Sequence, residues 1–174
     1  TLLEEAHTRN VDVYGLFASS DAAFSEQDMV VGLKNFNTVC GTTNAYFDGA
    51  SVNNEHFTSI KTCNDAGKEA EQLAFLDNLE ATRANAAPLP LHFSVSWNWD
   101  CCSCSSTNYV PRNLTWNGNS KTALEHMLDI ADSVDVQVAW NTGSTMTSRS
   151  QAPYDYWEAN HMGTTSTTSF SVLA

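Results

Sequence analysis

Basic side chains are scarce: the 174-residue chain carries 8 Lys and Arg against 20 Asp and Glu, a formal net charge of −12. Binding along a phosphate backbone rests on clustered Lys and Arg. The few here are scattered, which argues against nucleic acid and against an anionic lipid surface as partners. Long apolar runs are also missing. The longest, 11–17 and 89–97, have strand length and fall far short of the ~18 residues a membrane span needs, so nothing here is expected to cross a bilayer. No glycine-rich phosphate loop of the G-x-G-x-x-G or Walker type follows any candidate strand, which disfavours the nucleotide-binding doubly wound folds. A D-x-D-x-D-G calcium loop is absent too. The cluster formed by Cys101, Cys102 and Cys104 has no second Cys or His pair at metal spacing, so disulfides are favoured over a metal centre. No cofactor is implied.

What is present points to a folded, exported domain. The composition is 42% hydrophobic and 10% aromatic, enough to bury a core as one domain over residues 1–174 and too rich for a solvated tail. Cys40, Cys63, Cys101, Cys102 and Cys104 are an odd number of disulfide candidates, leaving one thiol free or paired outside the chain. The triplet Asn113-Leu114-Thr115 is an N-glycan acceptor sequence. Cysteines and sequon together favour an oxidising, secreted and extracellular location. An acidic surface rich in Ser, Thr and Asn suits a neutral partner such as a carbohydrate. Both termini read as cut through elements, a helix end at 1–10 and a strand at 168–174, as expected of a processed chain or a segment of a longer one.

Strand and helix patterns alternate. Strands are expected within 11–20, 45–57, 87–100, 134–143 and 170–174. Helices are expected over 25–39, with Ser25 as N-cap, and over 65–85, 121–133 and 152–162. Residues 101–120 read as a cysteine-rich loop. Alternation of this kind argues for a parallel sheet with right-handed crossovers. The expected fold is α/β, a (β/α)8 TIM-barrel-like architecture of which this chain supplies about five strands, since a complete barrel takes ~250 residues.

Side chains alternate across a strand, so each segment divides into two faces. Ser51, Asn53 and Glu55 oppose Ala50 and Val52. His92, Ser94, Ser96, Asn98 and Asp100 oppose Leu91, Phe93, Val95, Trp97 and Trp99. Asp135, Gln137 and Asn141 oppose Val134, Val136, Val138 and Trp140. Structural barrels fill their lumen with Val, Ile and Leu; a lumen of Ser, Asn, Gln, His and Glu suits hydrogen bonding to sugar hydroxyls. An antiparallel sheet with one wet face would alternate identically, but the intervening helices argue against it.

The segment F-D-G-A-S-V-N-N-E at 47–55 resembles the fourth-strand signature F-D-G-x-D-x-D-x-E of family 18 glycoside hydrolases, the chitinases, with Asp48, Gly49 and Glu55 on matching positions. Ser51 and Asn53 stand where that family has aspartates. Residues 134–141 similarly resemble its sixth-strand V-M-A-Y-D, with Trp140 for the tyrosine and Asn141 for the aspartate. On that strand the resemblance turns Val138 and Trp140 into the lumen, whereas the polarity pattern turns Gln137 and Asn141 there. Asn53 two residues before Glu55 looks closer to family 85 endo-β-N-acetylglucosaminidases, which carry N-x-E after F-D-G. The resemblance implies substrate-assisted hydrolysis of N-acetylglucosamine-containing glycans, with Glu55 protonating the glycosidic oxygen and Asn53 orienting the 2-acetamido group. The resemblance, the polar strand faces and the tryptophans together nominate Asp48, Ser51, Trp97, Gln137, Trp140 and Asn141 as substrate-binding residues. Asp48 also reads as a turn residue or a hydrogen-bond partner holding the strand end, the latter favoured by the resemblance. The alternative is a catalytically inactive extracellular structural or glycan-binding protein that retains the barrel, alone or in a homo-oligomer or larger extracellular assembly.

Most tryptophans default to core packing, with Trp140 the strongest candidate for sugar stacking. His92 and His126 read as structural, and Tyr14 and Asp21 as rim contacts.

Overall fold

The protein's structure, a computed structural model, describes residues 1–19, 26–55, 66–100, 112–138, 142–163 and 169–173. The elements run α1 (Leu2–Thr8), β1 (Tyr14–Ser19), α2 (Glu26–Val39), β2 (Gly49–Asn54), α3 (Ala66–Ala86) and β3 (Leu91–Ser96), which passes into a 3-10 turn (Trp97–Asp100). They continue with β4 (Asn113–Trp116), β5 (Asn119–Thr122), α4 (Ala123–Ile130), β6 (Ser133–Gln137), α5 (Gly143–Asn160) and β7 (Ser169–Leu173).

Five strands form one all-parallel sheet in the order β1-β2-β3-β6-β7. The order follows the chain without the reversal that defines a doubly wound sheet. Right-handed crossovers in an unreversed order put successive helices on the same side. Consecutive helices do pack side by side, α2 on α3, α3 on α4 and α4 on α5.

That side is the apolar one. Ala50, Val52, Leu91, Phe93, Val95, Val134, Val136 and Val138 are each at most 1% exposed. They meet a stripe of α3 whose buried positions Gln72, Phe75, Leu76, Leu79, Thr82 and Ala86 recur every three or four residues. The Phe75 ring lies 4.5 Å from Trp99 and 5.9 Å from Phe93, centroid to centroid. Burying each large side chain contributes about 1.5–3 kcal/mol, so this layer dominates the stability of the sheet.

The sheet curls over its polar face. Tyr14 opens β1 and Ser169 opens β7, the two edge strands, yet both line one cleft of about 420 Å³ with Arg83, Pro88, Pro90, Asp132 and Ser133. In a flat sheet, strands four places apart are separated by roughly 19 Å.

Three stretches differ from the sequence pattern. The strand expected within 87–100 ends at Ser96, and Trp97–Asp100 form a 3-10 turn, so the two-residue alternation does not run on through Asn98 and Asp100. Part of the expected loop 101–120 is the hairpin β4–β5, whose turn residues Asn117 and Gly118 both have positive φ, 48° and 78°. Asn-Gly is the sequence best suited to that two-residue turn. Helix α5 starts nine residues before the expected 152–162, because Pro153 sits buried inside it rather than opening it. Thr1 and Thr122 cap α1 and α4 through reciprocal bonds with Glu4 and Glu125. Ser25 lies outside the described residues.

Candidate functional site

At the amino ends of the strands, two carboxylates clasp neighbouring strands in the same way. Asp48, just before β2, donates its backbone N–H to the Val13 carbonyl at 2.8 Å and accepts the Val13 N–H on Oδ2 at 2.7 Å. Asp132, just before β6, donates to the Leu91 carbonyl at 3.0 Å and accepts the Leu91 N–H at 2.7 Å. A basic side chain closes each clasp. The Arg83 guanidinium grips Asp132 through Nε at 2.7 Å and Nη2 at 2.8 Å. His7 donates to Asp48 at 2.8 Å and, through Nδ1, to the Asn44 carbonyl at 2.8 Å, while stacking on Tyr46. Both His7 nitrogens face acceptors, so the protonated imidazole satisfies both bonds and the neutral ring only one. The bond to Asp48, then that to Asn44, raises the imidazole's pKa above the usual histidine value against a smaller opposing desolvation. Asp48, expected as a substrate contact or as a partner holding the strand end, stands at the opposite end of β2 from Glu55 and holds strands together. Tyr14 is likewise at the amino end, lining the cleft there.

The polar face is wired across three strands. His92 on β3 bonds through Nε2 to Asp135 Oδ1 on β6, and its Nδ1 lies 2.9 Å from the Ser133 hydroxyl. Ser94 donates to Asp135 Oδ2 at 2.7 Å. Gln137 Nε2 donates to Ser94 Oγ at 2.8 Å and to Asn53 Oδ1 at 3.1 Å. Burial pushes the Asp135 carboxyl up, but the bonds from His92 and Ser94, with the charge of His92, outweigh it and hold the pKa below the usual carboxylate range. Parallel register creates these neighbours by pairing His92 with Ser133, Ser94 with Asp135 and Ser96 with Gln137.

Asn53 is half-buried on this face, Ser51 is 8% exposed beside it, and Glu55 follows β2 as an exposed residue. One position off the polar face, Asn54 is buried and donates to Oε1 of the fully buried Glu26 at 2.9 Å. Glu26 lies in the first turn of α2, where the helix dipole favours a negative charge. This buried contact fixes the carboxyl end of β2 between Asn53 and Glu55.

Gln137 stands on the polar face and Val138 is fully buried, in agreement with the polarity pattern on β6 and against the alignment. Trp97, expected as a sugar platform, is 6% exposed in the apolar core, with the Arg149 guanidinium 4.1 Å from its ring centroid. It opens the 3-10 turn directly after β3 and joins Phe93 and Val95 in the core on the helix side. His126 is buried and bonds to the Leu114 carbonyl at 3.2 Å. Asn113 opens β4 as an exposed residue. Cys40 is an exposed free thiol. Asp21, His56, Cys63, Cys101, Cys102, Cys104, Trp140 and Asn141 lie outside the described residues. Among the described residues no group of three or more His, Cys, Asp or Glu side chains could hold a metal, and no helix is long and apolar enough to cross a membrane.

Sequence reasoning put His92, Ser94 and Asp135 on wet faces but singled out none of them as a site residue. The missing signal was the register. Once β3 and β6 are neighbours, a His and an Asp alternating on facing positions are within bonding reach.

No family model, curated protein or solved structure matches this chain.

Proposed function

We propose that the chain is a glycoside-hydrolase-like protein of the extracellular space, built as part of a TIM-type barrel and acting on N-acetylglucosamine-containing glycans. The observation that carries this reading is the hydrogen-bonded polar face on which Gln137 meets Asn53, two residues before Glu55 at the carboxyl end of β2. Barrel sites lie at that end. Unreversed parallel order, helices packed in sequence and a sheet curled over its polar face all support the barrel. Exposure of Asn113 within its sequon is compatible with secretion and glycosylation.

In this reading Glu55 delivers its proton to the glycosidic oxygen as that bond breaks. The substrate's own acetamido oxygen bonds to the anomeric carbon while Asn53 orients the acetamido group, and water then opens the ring so formed. Ser51 and Gln137 line the floor of the site.

A second reading is favoured by the exposure of Glu55 and by Ser51 and Asn53 in place of aspartates. It is a non-catalytic extracellular glycan-binding or structural protein, alone or assembled with further copies.

Hydrolysis of a chitooligosaccharide and of a high-mannose N-glycan, wild type against Glu55→Gln, separates the two. The catalytic reading expects turnover that drops at least about 100-fold in the variant. Binding without turnover in the wild type would leave the second reading.

A further inference from the structure

The direction of each hydrogen bond on the path from Asp135 through Ser94 and Gln137 to Asn53 follows from one carboxylate. Asp135 is held ionised by His92 and Ser94, and a carboxylate accepts only. Ser94 has a single proton and gives it to Asp135, so toward Gln137 its oxygen must accept. The Gln137 atom at 2.8 Å from Ser94 Oγ is therefore the amide nitrogen. That nitrogen has a second proton, which points at Asn53 over 3.1 Å, so the Asn53 atom facing it is the carbonyl oxygen. Shape alone leaves each amide two orientations; the charge at Asp135 selects one for both.

Two groups are left over. Asn53 Nδ2 and Gln137 Oε1 make no hydrogen bond among the described residues, and both side chains are half-buried rather than sealed. The face thus offers a donor and an acceptor on two adjacent, oriented amides. An amide substituent presents the complement, a carbonyl oxygen and an N–H on separate atoms. A sugar hydroxyl in the same place has a single atom to offer.

We propose that Asp135, buttressed by His92 and acting through Ser94, is a positioning residue that fixes Asn53 and Gln137 as a donor–acceptor pair for the ligand's 2-acetamido group. Asn53 donates to the acetamido carbonyl and Gln137 accepts the acetamido N–H. The assignment rests on the glycan reading above, adding to it the residues that distinguish an N-acetylated sugar from a plain one.

The test has two arms on the whole chain. In the first, the side-chain amide resonances of Asn53 and Gln137 are followed in ¹⁵N-labelled protein, identified by their loss in Asn53→Asp and Gln137→Glu. Asp135→Asn keeps the volume of the side chain but lets it donate, freeing Ser94 to turn its proton toward Gln137. Both resonances are expected to move, and Asn53, which pairs in register with Ser94 but shares a hydrogen bond with neither Ser94 nor Asp135, is the decisive one. An Asn53 resonance unchanged in folded Asp135→Asn overturns the relay. If that variant does not fold, Ser94→Ala interrupts the chain at its hydroxyl, and the Asn53 resonance is again expected to move.

In the second arm, binding of chitotetraose is compared with binding of cellotetraose, which differs in carrying hydroxyls in place of acetamido groups. The wild type is expected to prefer chitotetraose, and the preference is expected to fall about tenfold in Asp135→Asn or Ser94→Ala, the equivalent of one oriented hydrogen bond. A preference retained in a variant whose Asn53 resonance has moved overturns the assignment and leaves the glycan reading standing. A wild type that binds neither sugar ends both.

Discussion

Gln137 on β6 donates a hydrogen bond to Asn53 on β2 at 3.1 Å, although β3 lies between their strands. Strands two places apart are separated by about 9.5 Å in a flat sheet, so the contact and the inward curl of the polar face belong together. The bridge gives the face its unity, because it joins β2, which carries Asn53 and leads to Glu55, to the charged centre at His92 and Asp135.

Gln137 and Ser94 act as a coupled pair. Gln137→Ala leaves both Ser94 Oγ and Asn53 Oδ1 without their donor and is expected to cost about 1 kcal/mol. In a double-mutant cycle with Ser94→Ala, measured by urea unfolding, the two changes are expected to be non-additive by about 0.5 kcal/mol or more.

The clasp at Asp132 is structural. Asp132→Ala removes the acceptor of the Leu91 N–H and both bonds from Arg83, and is expected to destabilise the protein by about 2–3 kcal/mol. Asp132→Asn, which keeps one acceptor but loses the charge, is expected to fall between. Denaturation midpoints of the three proteins give the order.

Helix α1 contributes no buried residue, so its attachment depends strongly on His7. The folded-state pKa of His7 is raised, so its stabilisation is complete below the unfolded histidine value, about 6.5, and is lost as pH rises through the folded value. Hydrogen exchange in α1, corrected for the intrinsic pH dependence, is expected to lose protection as pH rises from about 6.5. His7→Gln is expected to abolish that pH dependence.

Gly49 and Gly15 are predicted to differ in their tolerance of a methyl group. A Cβ on Gly49 would meet the Tyr14 ring and lie 2.8 Å from the Pro90 carbonyl oxygen, which is backbone and cannot step aside. Gly49→Ala is expected to cost about 2 kcal/mol. A Cβ on Gly15 meets chiefly the tip of the Leu33 side chain, which can change rotamer, so Gly15→Ala is expected to cost less. Thermal unfolding of the two variants tests the contrast.

The strands and their faces were legible because apolar and polar side chains alternate along them, although on β2 and β3 the polar Ser51, Ser94 and Ser96 are buried as well. Val134 and Val136 alternate with Asp135 and Gln137 in the sequence just as they do across the sheet. Boundaries were less legible. The last helix was expected only over 152–162, yet it begins at Gly143 and holds Pro153 buried in its interior. The hairpin was available from Asn117-Gly118 but was obscured by the cysteine-rich run before it. For the site, alternation placed Asn53 and Gln137 on wet faces, but their contact depends on strand order and curl, which no local pattern encodes. The F-D-G segment left Asp48 open as a substrate contact or as a hydrogen-bond partner holding the strand end, and the residue forms an amino-end clasp of the second kind, also seen at Asp132.

The polar face as a glycan site is tested most directly by titrating ¹⁵N-labelled protein with chitotetraose and mapping the perturbed resonances. The account predicts that they cluster on Ser51, Asn53, Ser94 and Gln137, with the side-chain amides of Asn53 and Gln137 among the largest. Perturbations confined to the amino-end cleft around Tyr14 and Arg83, or none at saturating sugar, would contradict it.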